Sequence, residues 1–195
     1  GISSCKVRVI KTPYLVNVEK AAESAQVEPH AIIPTAVAAA KAVLSEQQRE
    51  NGVAVIDMGG ATTSVAVYEE GDLQYVGVVP IGGTNITKDL AIGLKTDPEI
   101  ADEVKIKHAS ALGHTDSEAV NVKYNGDVHT FKAEDINEIV EARLEEIFEG
   151  VQLHLKKAGR AGKLPSGVVL VGGASKLKHI AEYAKETLGL AARLG

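Results

Sequence analysis

A chain of 195 residues, 45% hydrophobic and 24% charged, has the length and composition of a soluble globular protein with one domain or two small ones. Its formal charge of −5, from 21 basic and 26 acidic residues with no Lys/Arg-rich run, gives no reason to expect a nucleic-acid partner. The lone cysteine, Cys5, has no partner for an internal disulfide, which fits a reducing cytoplasm, and no apolar run approaches the roughly 20 residues of a membrane span.

The chain opens Gly1-Ile2-Ser3-Ser4 without a methionine, which reads as the start of an excised fragment. Cys5–Lys11 alternates polar and apolar and suits a half-buried strand. A helix is expected from about Val16 to Ser24, with Val18, Ala21, Ala22 and Ala25 on one side. Ala31-Ile32-Ile33-Pro34 reads as a short strand, and the alanine-rich Thr35–Leu44 as a closely packed helix. Were a neighbouring lobe missing, Ala36–Ala42 is the apolar surface its loss would expose. Gln47–Gly52 reads as a polar break and marks a candidate boundary.

The run Val53-Ala54-Val55-Ile56 ends in Asp57, and Met58-Gly59-Gly60-Ala61-Thr62-Thr63 then turns the chain into an alternating strand, Ser64–Tyr68. Glycines let a backbone loop approach a bulky anion, and exposed N–H groups with threonine hydroxyls bond phosphate oxygens. An aspartate at the strand end holds a magnesium ion through water. The same residues also suit an ordinary tight turn. Glu69–Asp72 is a hairpin turn into Leu73–Pro80, so three strands form an antiparallel meander.

Gly82-Gly83 opens a helix with Ile86, Leu90 and Leu94 at helical spacing. Thr96-Asp97-Pro98-Glu99 reads as a capping box that starts another, running to about Lys107. Asn125-Gly126 between Val120–Tyr124 and Val128–Phe131 signals a two-residue hairpin. A long amphipathic helix follows, with Ile136, Ile139, Val140, Leu144, Ile147, Val151 and Leu155 on one stripe, Lys156 and Lys157 near its end and Gly159 as its stop. Gly167–Val171 is a buried strand ending in Gly172-Gly173-Ala174-Ser175, which feeds a last helix through Leu188. The element order is mixed α/β, with the hairpin and long helix placed as an insertion between two strand–glycine-turn units. Two such turns can face one ligand from different sides of an open sheet.

Asp57–Thr63 resembles the second phosphate-binding motif of the actin-like ATPase superfamily, and Val169–Leu177 resembles its adenosine motif. Within that superfamily, Val79-Pro80-Ile81-Gly82-Gly83, Thr87–Leu94 and Ala101–Lys107 resemble the FtsA family of bacterial cell-division actin homologues, nearly the whole chain being covered. The resemblance implies an actin-like (ribonuclease H-like) ATPase lobe, a mixed sheet flanked by helices with an inserted α+β subdomain. Residues 1–52 would be the end of the preceding lobe and a connecting helix, and 53–195 the second lobe, with 53–95 and 166–195 as core and 96–165 inserted.

Carried over by position, the resemblance places Gly59, Gly60, Thr62 and Thr63 on the β- and γ-phosphates of ATP and Asp57 beside Mg2+. Gly172, Gly173, Ala174 and Lys176 would back the nucleoside. The pattern Ala-Glu-x-x-Lys, which contacts ribose and base, falls on Ala101 to Lys105, with Asp102 one methylene shorter than the usual Glu. The third position of the phosphate turn is Ala61 where many relatives carry Gly, which is tolerable only without positive φ. The family's first phosphate loop and its C-terminal amphipathic membrane helix have no counterpart here, so this chain looks like half of a nucleotide cleft and is expected to be inactive alone, the full-length protein being at most a weak ATPase.

The resemblance further implies self-association into filaments, attachment to the inner face of the cell membrane at the division site, and binding of the FtsZ C-terminal tail. Arg143 is the basic side chain placed to meet that acidic tail, although pairs with acids three and four positions away on its own helix explain it equally. Alternatives from the same superfold are a sugar or acid kinase and a pilus-assembly scaffold. The histidines show no metal-ligand spacing, Ser64 and Ser175 lack a nucleophile elbow, and the acidic face Glu138, Glu141, Glu145, Glu146 and Glu149 suits a solvated helix surface.

Overall fold

A computed structural model describes residues 12–113 and 118–195, so the strand expected over Cys5–Lys11 lies outside the described residues. The chain divides into two compact units, Gly1–Pro34 and Thr35–Gly195. In the first, helix α1 (Thr12–Ser24) has no buried residue. Ala31–Pro34 is irregular rather than a strand. An apolar run becomes a strand only where a neighbour takes its backbone hydrogen bonds, and a terminal proline removes one donor.

The second unit is built on a five-stranded sheet in the order β3-β2-β1-β6-β7, formed by β1 (Val53–Met58), β2 (Thr63–Glu69), β3 (Asp72–Val79), β6 (Val168–Val171) and β7 (Ala192–Leu194). Strand β1 is antiparallel to β2 and parallel to β6, so Asp57 stands opposite Ser64 on one side and Val171 on the other. Because both faces are covered, β1 and β2 are buried almost throughout. Val53, Val55, Ala66, Tyr68 and Val169 point to one face, packed by helix α2 (Thr35–Val43) through the fully buried Ala36 and Ala40. The alanine-rich segment is therefore the cover of this sheet face and not a stripped surface, and small side chains bring the helix close to the strands.

Ala54, Ile56, Met58, Val65 and Val67 point to the other face, into the main core shared with α4 (Gly83–Gly93), α5 (Pro98–His108), α6 (Ala133–Lys157) and α7 (Ile180–Leu188). Helix α6 buries Ile136, Val140, Leu144, Ile147, Phe148, Val151 and Leu155, the expected stripe with Phe148 added and Ile139 only partly buried at its margin. Its last turns lie on the edge strand β3, where the Tyr75 hydroxyl is 2.7 Å from His154 Nδ1. Strands β4 (Ala119–Tyr124) and β5 (Asp127–Lys132) form the expected hairpin as a separate two-stranded sheet.

Three local expectations change. Gln47–Gly52 is not a break: a short helix, α3 (Glu46–Asn51), runs there, because Ser45 Oγ accepts from Gln48 N at 3.1 Å and Gln48 Oε1 accepts from Ser45 N at 3.0 Å. The capping box expected at Thr96–Glu99 does not form; Asp97 occupies the N-cap without a side-chain bond, and Pro98 takes the first helical position. After α7 the chain does not simply stop, since Val168–Leu170 pairs with Ala192–Leu194 as an outer strand.

Candidate functional site

Strand β1 delivers Asp57 half-buried at its end, and the turn Gly59–Thr62 closes on itself through Gly59 N–H donating to Thr62 O at 2.9 Å. The tip, Gly60–Thr62, is exposed. Ala61 does not have positive φ, so alanine is tolerated there. Thr63 is different: it is fully buried and its hydroxyl donates to Ile81 O at 2.9 Å, so its one proton serves the fold and not a phosphate.

The start of α4 is tied to this turn. Gly83 N–H donates to Gly59 O at 2.9 Å and Thr84 N–H to Gly60 O at 2.8 Å. A Cβ on Gly82 would lie 2.5 Å from Gly60 O and 2.6 Å from Gly59 O, so only glycine permits this approach. From the other side comes the turn after β6. Gly172 has φ 90° and ψ 168°, a backbone region almost restricted to glycine, and caps the 3-10 turn Gly173–Lys176. Ser175 Oγ donates back to Gly172 O at 2.7 Å. Three separate glycine segments thus meet around Asp57.

Beside them lies a cavity of about 120 Å³ lined by Ile86, Lys105, Ile106, Gly173, Ala174, Lys176 and Leu177. Four of the nucleoside-contacting candidates, Lys105, Gly173, Ala174 and Lys176, share this one wall. Apolar Ile86, Ile106 and Leu177 supply faces for a planar ring. The Lys105 ammonium has three protons and meets three acceptors: Asp102 Oδ1 at 2.5 Å, Thr87 Oγ1 at 2.6 Å and Gly83 O at 3.4 Å. Lys105 therefore lines the cavity with its stem while its charge is held inside the fold. The Lys105 hydrogen bond holds the Asp102 carboxyl below its usual range, opposed by burial and helped by the Thr87 hydroxyl.

A backbone that any Cβ would block, open space at Gly173 and an apolar slot beside them fit a nucleotide. Among the described residues no three His, Cys, Asp or Glu side chains cluster to cage a metal. A magnesium ion here fits only as one carried largely by phosphate and water with Asp57 as a single protein anchor.

Arg143 stands apart, on α6. It makes a bidentate pair with Asp89 of α4, Nε to Oδ2 at 2.5 Å and Nη2 to Oδ1 at 3.0 Å, and a further bond from Nη1 to Glu146 Oε2 at 2.6 Å. The Asp89 hydrogen bond chiefly raises the guanidinium's already high pKa. So the in-helix pair with Glu146 exists, but the larger tie runs between helices. The pair borders a groove of about 310 Å³ that also has Ile92, Gly93, Ile139 and Ala142 in its wall.

Sequence reasoning missed Thr87 and Asp89 as site members, and took Gly82-Gly83 as a helix opener and part of the family resemblance but not as a member of the site. Nothing local marks Thr87, whose partners come from α5. The glycine pair was visible, but its reason is a contact with a turn more than twenty positions earlier.

A sequence profile described as cell division protein FtsA matches residues 54–195. Cell division protein FtsA of Pseudomonas aeruginosa is 36% identical over 183 residues, which cover 92% of this chain and 44% of that protein. The Bacillus subtilis protein of the same description is 38% identical over 178 residues, 89% of this chain and 40% of that one. This chain thus spans less than half the length of these relatives. Among solved structures, MreB5 of Spiroplasma citri bound to ADP superposes with a TM-score of 0.80 at 18% identity, covering 95% of this chain and 61% of that one. A PilM–PilN type IV pilus biogenesis complex superposes with a TM-score of 0.70 at 20% identity, covering 93% and 47%. At such identities these two structures establish the actin-like fold alone.

Proposed function

The chain belongs to the FtsA family of cell-division proteins, and from that premise we propose that it is the nucleotide-binding second lobe of an actin-like adaptor that uses ATP with Mg2+. The kinase and pilus-assembly alternatives are not favoured, since the profile match runs through both glycine turns and the insertion between them. The observation that carries the nucleotide reading is the convergence of Gly59-Gly60, Gly82-Gly83 and Gly172-Gly173 beside one apolar cavity. In this reading Asp57 anchors the magnesium, Gly59, Gly60 and Thr62 receive the phosphates, and Gly173, Ala174 and Lys176 flank the nucleoside. ATP supplies the phosphate charge that brings the magnesium to Asp57.

The nucleotide acts by biasing closure of the lobe on its counterpart, and with it filament contacts, rather than by fast chemistry. The FtsZ-tethering role at the inner face of the membrane, which the resemblance implies, is part of the same proposal, with the Arg143 groove receiving the FtsZ tail. No helix among the described residues is long and apolar enough to cross a membrane. Titration of ATP onto this chain, with and without Mg2+, tests the reading. Saturable binding strengthened by the metal is expected, and no binding at millimolar ATP rejects it.

A further inference from the structure

Helix α6 carries a second groove, on the flank that meets α7, and it shares no lining residue with the Arg143 groove. Its volume is about 480 Å³. The floor is apolar: Phe148 is fully buried, and the Tyr183 ring of α7 stands edge-on to it with centroids 5.2 Å apart. Leu153, in the wall, is 51% exposed, whereas Leu144 and Leu155 of the same helix are buried. Glu145 and Glu149 form the rim, in a row that starts one turn earlier at Glu141 and ends at Gln152 and Lys156. Burial chiefly raises the Tyr183 pKa, and the fields of Glu145, Glu141 and Glu149 add to it against a Thr187 hydrogen bond, so all three carboxylates lie on the α7 side. Glu103 of α5 pairs with Lys107, and Glu146 of α6 with Arg143. Glu141, Glu145 and Glu149 pair with no cation among the described residues. Like charges four positions apart repel along a helix, so this row destabilises the free chain.

Gln152 gives a second, independent sign of a missing partner. Its Oε1 is closed off from solvent and has no hydrogen-bond partner among the described residues, a state that buried acceptors rarely keep. The last torsion of a glutamine is soft, so this oxygen turns to a donor that enters the groove beside it. We propose that the groove docks a cationic amphipathic helix of a partner protein. Lysine or arginine side chains one turn apart pair with Glu141, Glu145 and Glu149, and the one nearest Gln152 also donates to its Oε1. Apolar side chains beside them lie on Leu153, above Phe148. Helix on helix is the fit because the receiving carboxylates are themselves one turn apart. Lys156 repels a further cation and so fixes where the partner's basic row stops. A solvated face relieves its charge by interleaving lysines among the acids, and this row has none before Lys156. An acidic tail of the kind suited to Arg143 is repelled here, so the two flanks of α6 take partners of opposite charge.

The test is a fluorescence-anisotropy titration with a labelled leucine–lysine helical peptide whose lysines stand one turn apart along a leucine stripe. A peptide of the same composition with its lysines spread around the helix is the control. Saturable binding of the patterned peptide is expected, about tenfold or more tighter than the control and weakened by salt. The Glu145→Gln, Glu149→Gln double variant is expected to lose about tenfold or more, and to melt no earlier than the wild type, because repulsion along the row is relieved. The Glu19→Gln, Glu23→Gln double variant on α1 removes the same charge elsewhere and should bind as the wild type does. Leu153→Ala should weaken binding several-fold without changing its salt dependence. Equal binding of the two peptides, or an equal loss in the α1 variant, means diffuse attraction to an acidic chain and overturns the proposal. So does the absence of saturable binding at millimolar patterned peptide.

Discussion

A Cβ placed on Gly172 would lie 2.6 Å from Asp57 Oδ1 and 2.5 Å from Met58 O. The turn after β6 is thus seated directly on the end of β1, and the conformation of one is the wall of the other. The parallel pairing of the two strands, Asp57 beside Val171, puts the residues in register for this contact. Gly172→Ala is expected to cost stability twice, through strain of order 1–3 kcal/mol at a φ of 90° and through the clash. It should also displace Asp57, so ATP binding falls more than the melting temperature alone explains. Urea unfolding and ATP titration on the same variant check both parts, and unchanged affinity would show that the two turns act independently.

Gly82 and Gly173 form a pair with opposite expectations. Gly82 is extended, φ −151°, which any residue adopts, so the penalty of Gly82→Ala is steric alone. Its new methyl would press on the carbonyls of Gly59 and Gly60, and about 1–3 kcal/mol of overpacking is expected. At Gly173 a Cβ meets nothing within 4 Å, so Gly173→Ala should alter stability by less than about 0.5 kcal/mol. Its methyl nevertheless enters the cavity wall, and nucleotide affinity should drop. Thermal melts should therefore separate the two variants while ATP titrations group them.

The Asp102 carboxyl is held below its ordinary value of 3.8, mainly by Lys105. A depressed folded-state pKa means that the unfolded chain takes up its proton first as pH falls. The stabilisation is therefore fully present above the ordinary value and is lost as pH drops through the lower folded one. Denaturant midpoints of wild type and Asp102→Asn should differ by a constant amount between neutral pH and the ordinary carboxylate range, then converge below it. A gap that persisted in strong acid would mean the pair does not set the difference.

Much of this arrangement is legible in the sequence because it depends on short-range patterning. Val53–Ile56 and Val168–Leu170 are apolar without interruption since helices cover both sheet faces, and the α6 stripe follows from its spacing. The glycine turns at 59–60 and 172–173 announce a close approach. What stays hidden depends on partners far along the chain. Thr87 looks like any polar helix residue until α5 brings Asp102 and Lys105 beside it, and Asp89 like any surface acid until α6 brings Arg143. Ala192–Leu194 is too short to carry a strand pattern, and becomes one only because β6 offers an unpaired edge. The Thr63 hydroxyl is hidden for a related reason: its direction depends on Ile81, eighteen positions away.

At α3 a polar run is helical because of its cap. Ser45 and Gln48 bond reciprocally, satisfying two backbone donors at a helix too short to be stable unaided. Ser45→Ala is expected to lose about 1 kcal/mol, within the range of N-cap truncations. The Ser45→Ala, Gln48→Ala double variant should lose less than the sum of the two single changes, since the bonds form one motif. Urea midpoints of the three variants check this, and strict additivity would show that the two bonds form independently.

The groove between α4 and α6 offers the last prediction. A guanidinium has five donors, and Arg143 directs three of them at Asp89 and Glu146, leaving two for an incoming acid. A tail peptide bearing carboxylates thus meets a cation already neutralised by Asp89, beside the exposed Ile92. Asp89→Ala releases the bidentate bonds, so it should weaken the fold by about 1 kcal/mol yet bind an acidic FtsZ tail peptide several-fold more tightly. Arg143→Ala should reduce peptide binding by about tenfold or more, because the one basic side chain among the described residues of the groove wall is gone while the apolar wall remains. Both effects should shrink as salt is raised, since the side chains at the groove are partly exposed. Fluorescence anisotropy with a labelled tail peptide at two ionic strengths reads both binding changes and their salt dependence, and urea unfolding reads the loss of stability. If Arg143→Ala binds the peptide as the wild type does, Arg143 serves only to clamp α4 to α6, and the tail must dock elsewhere.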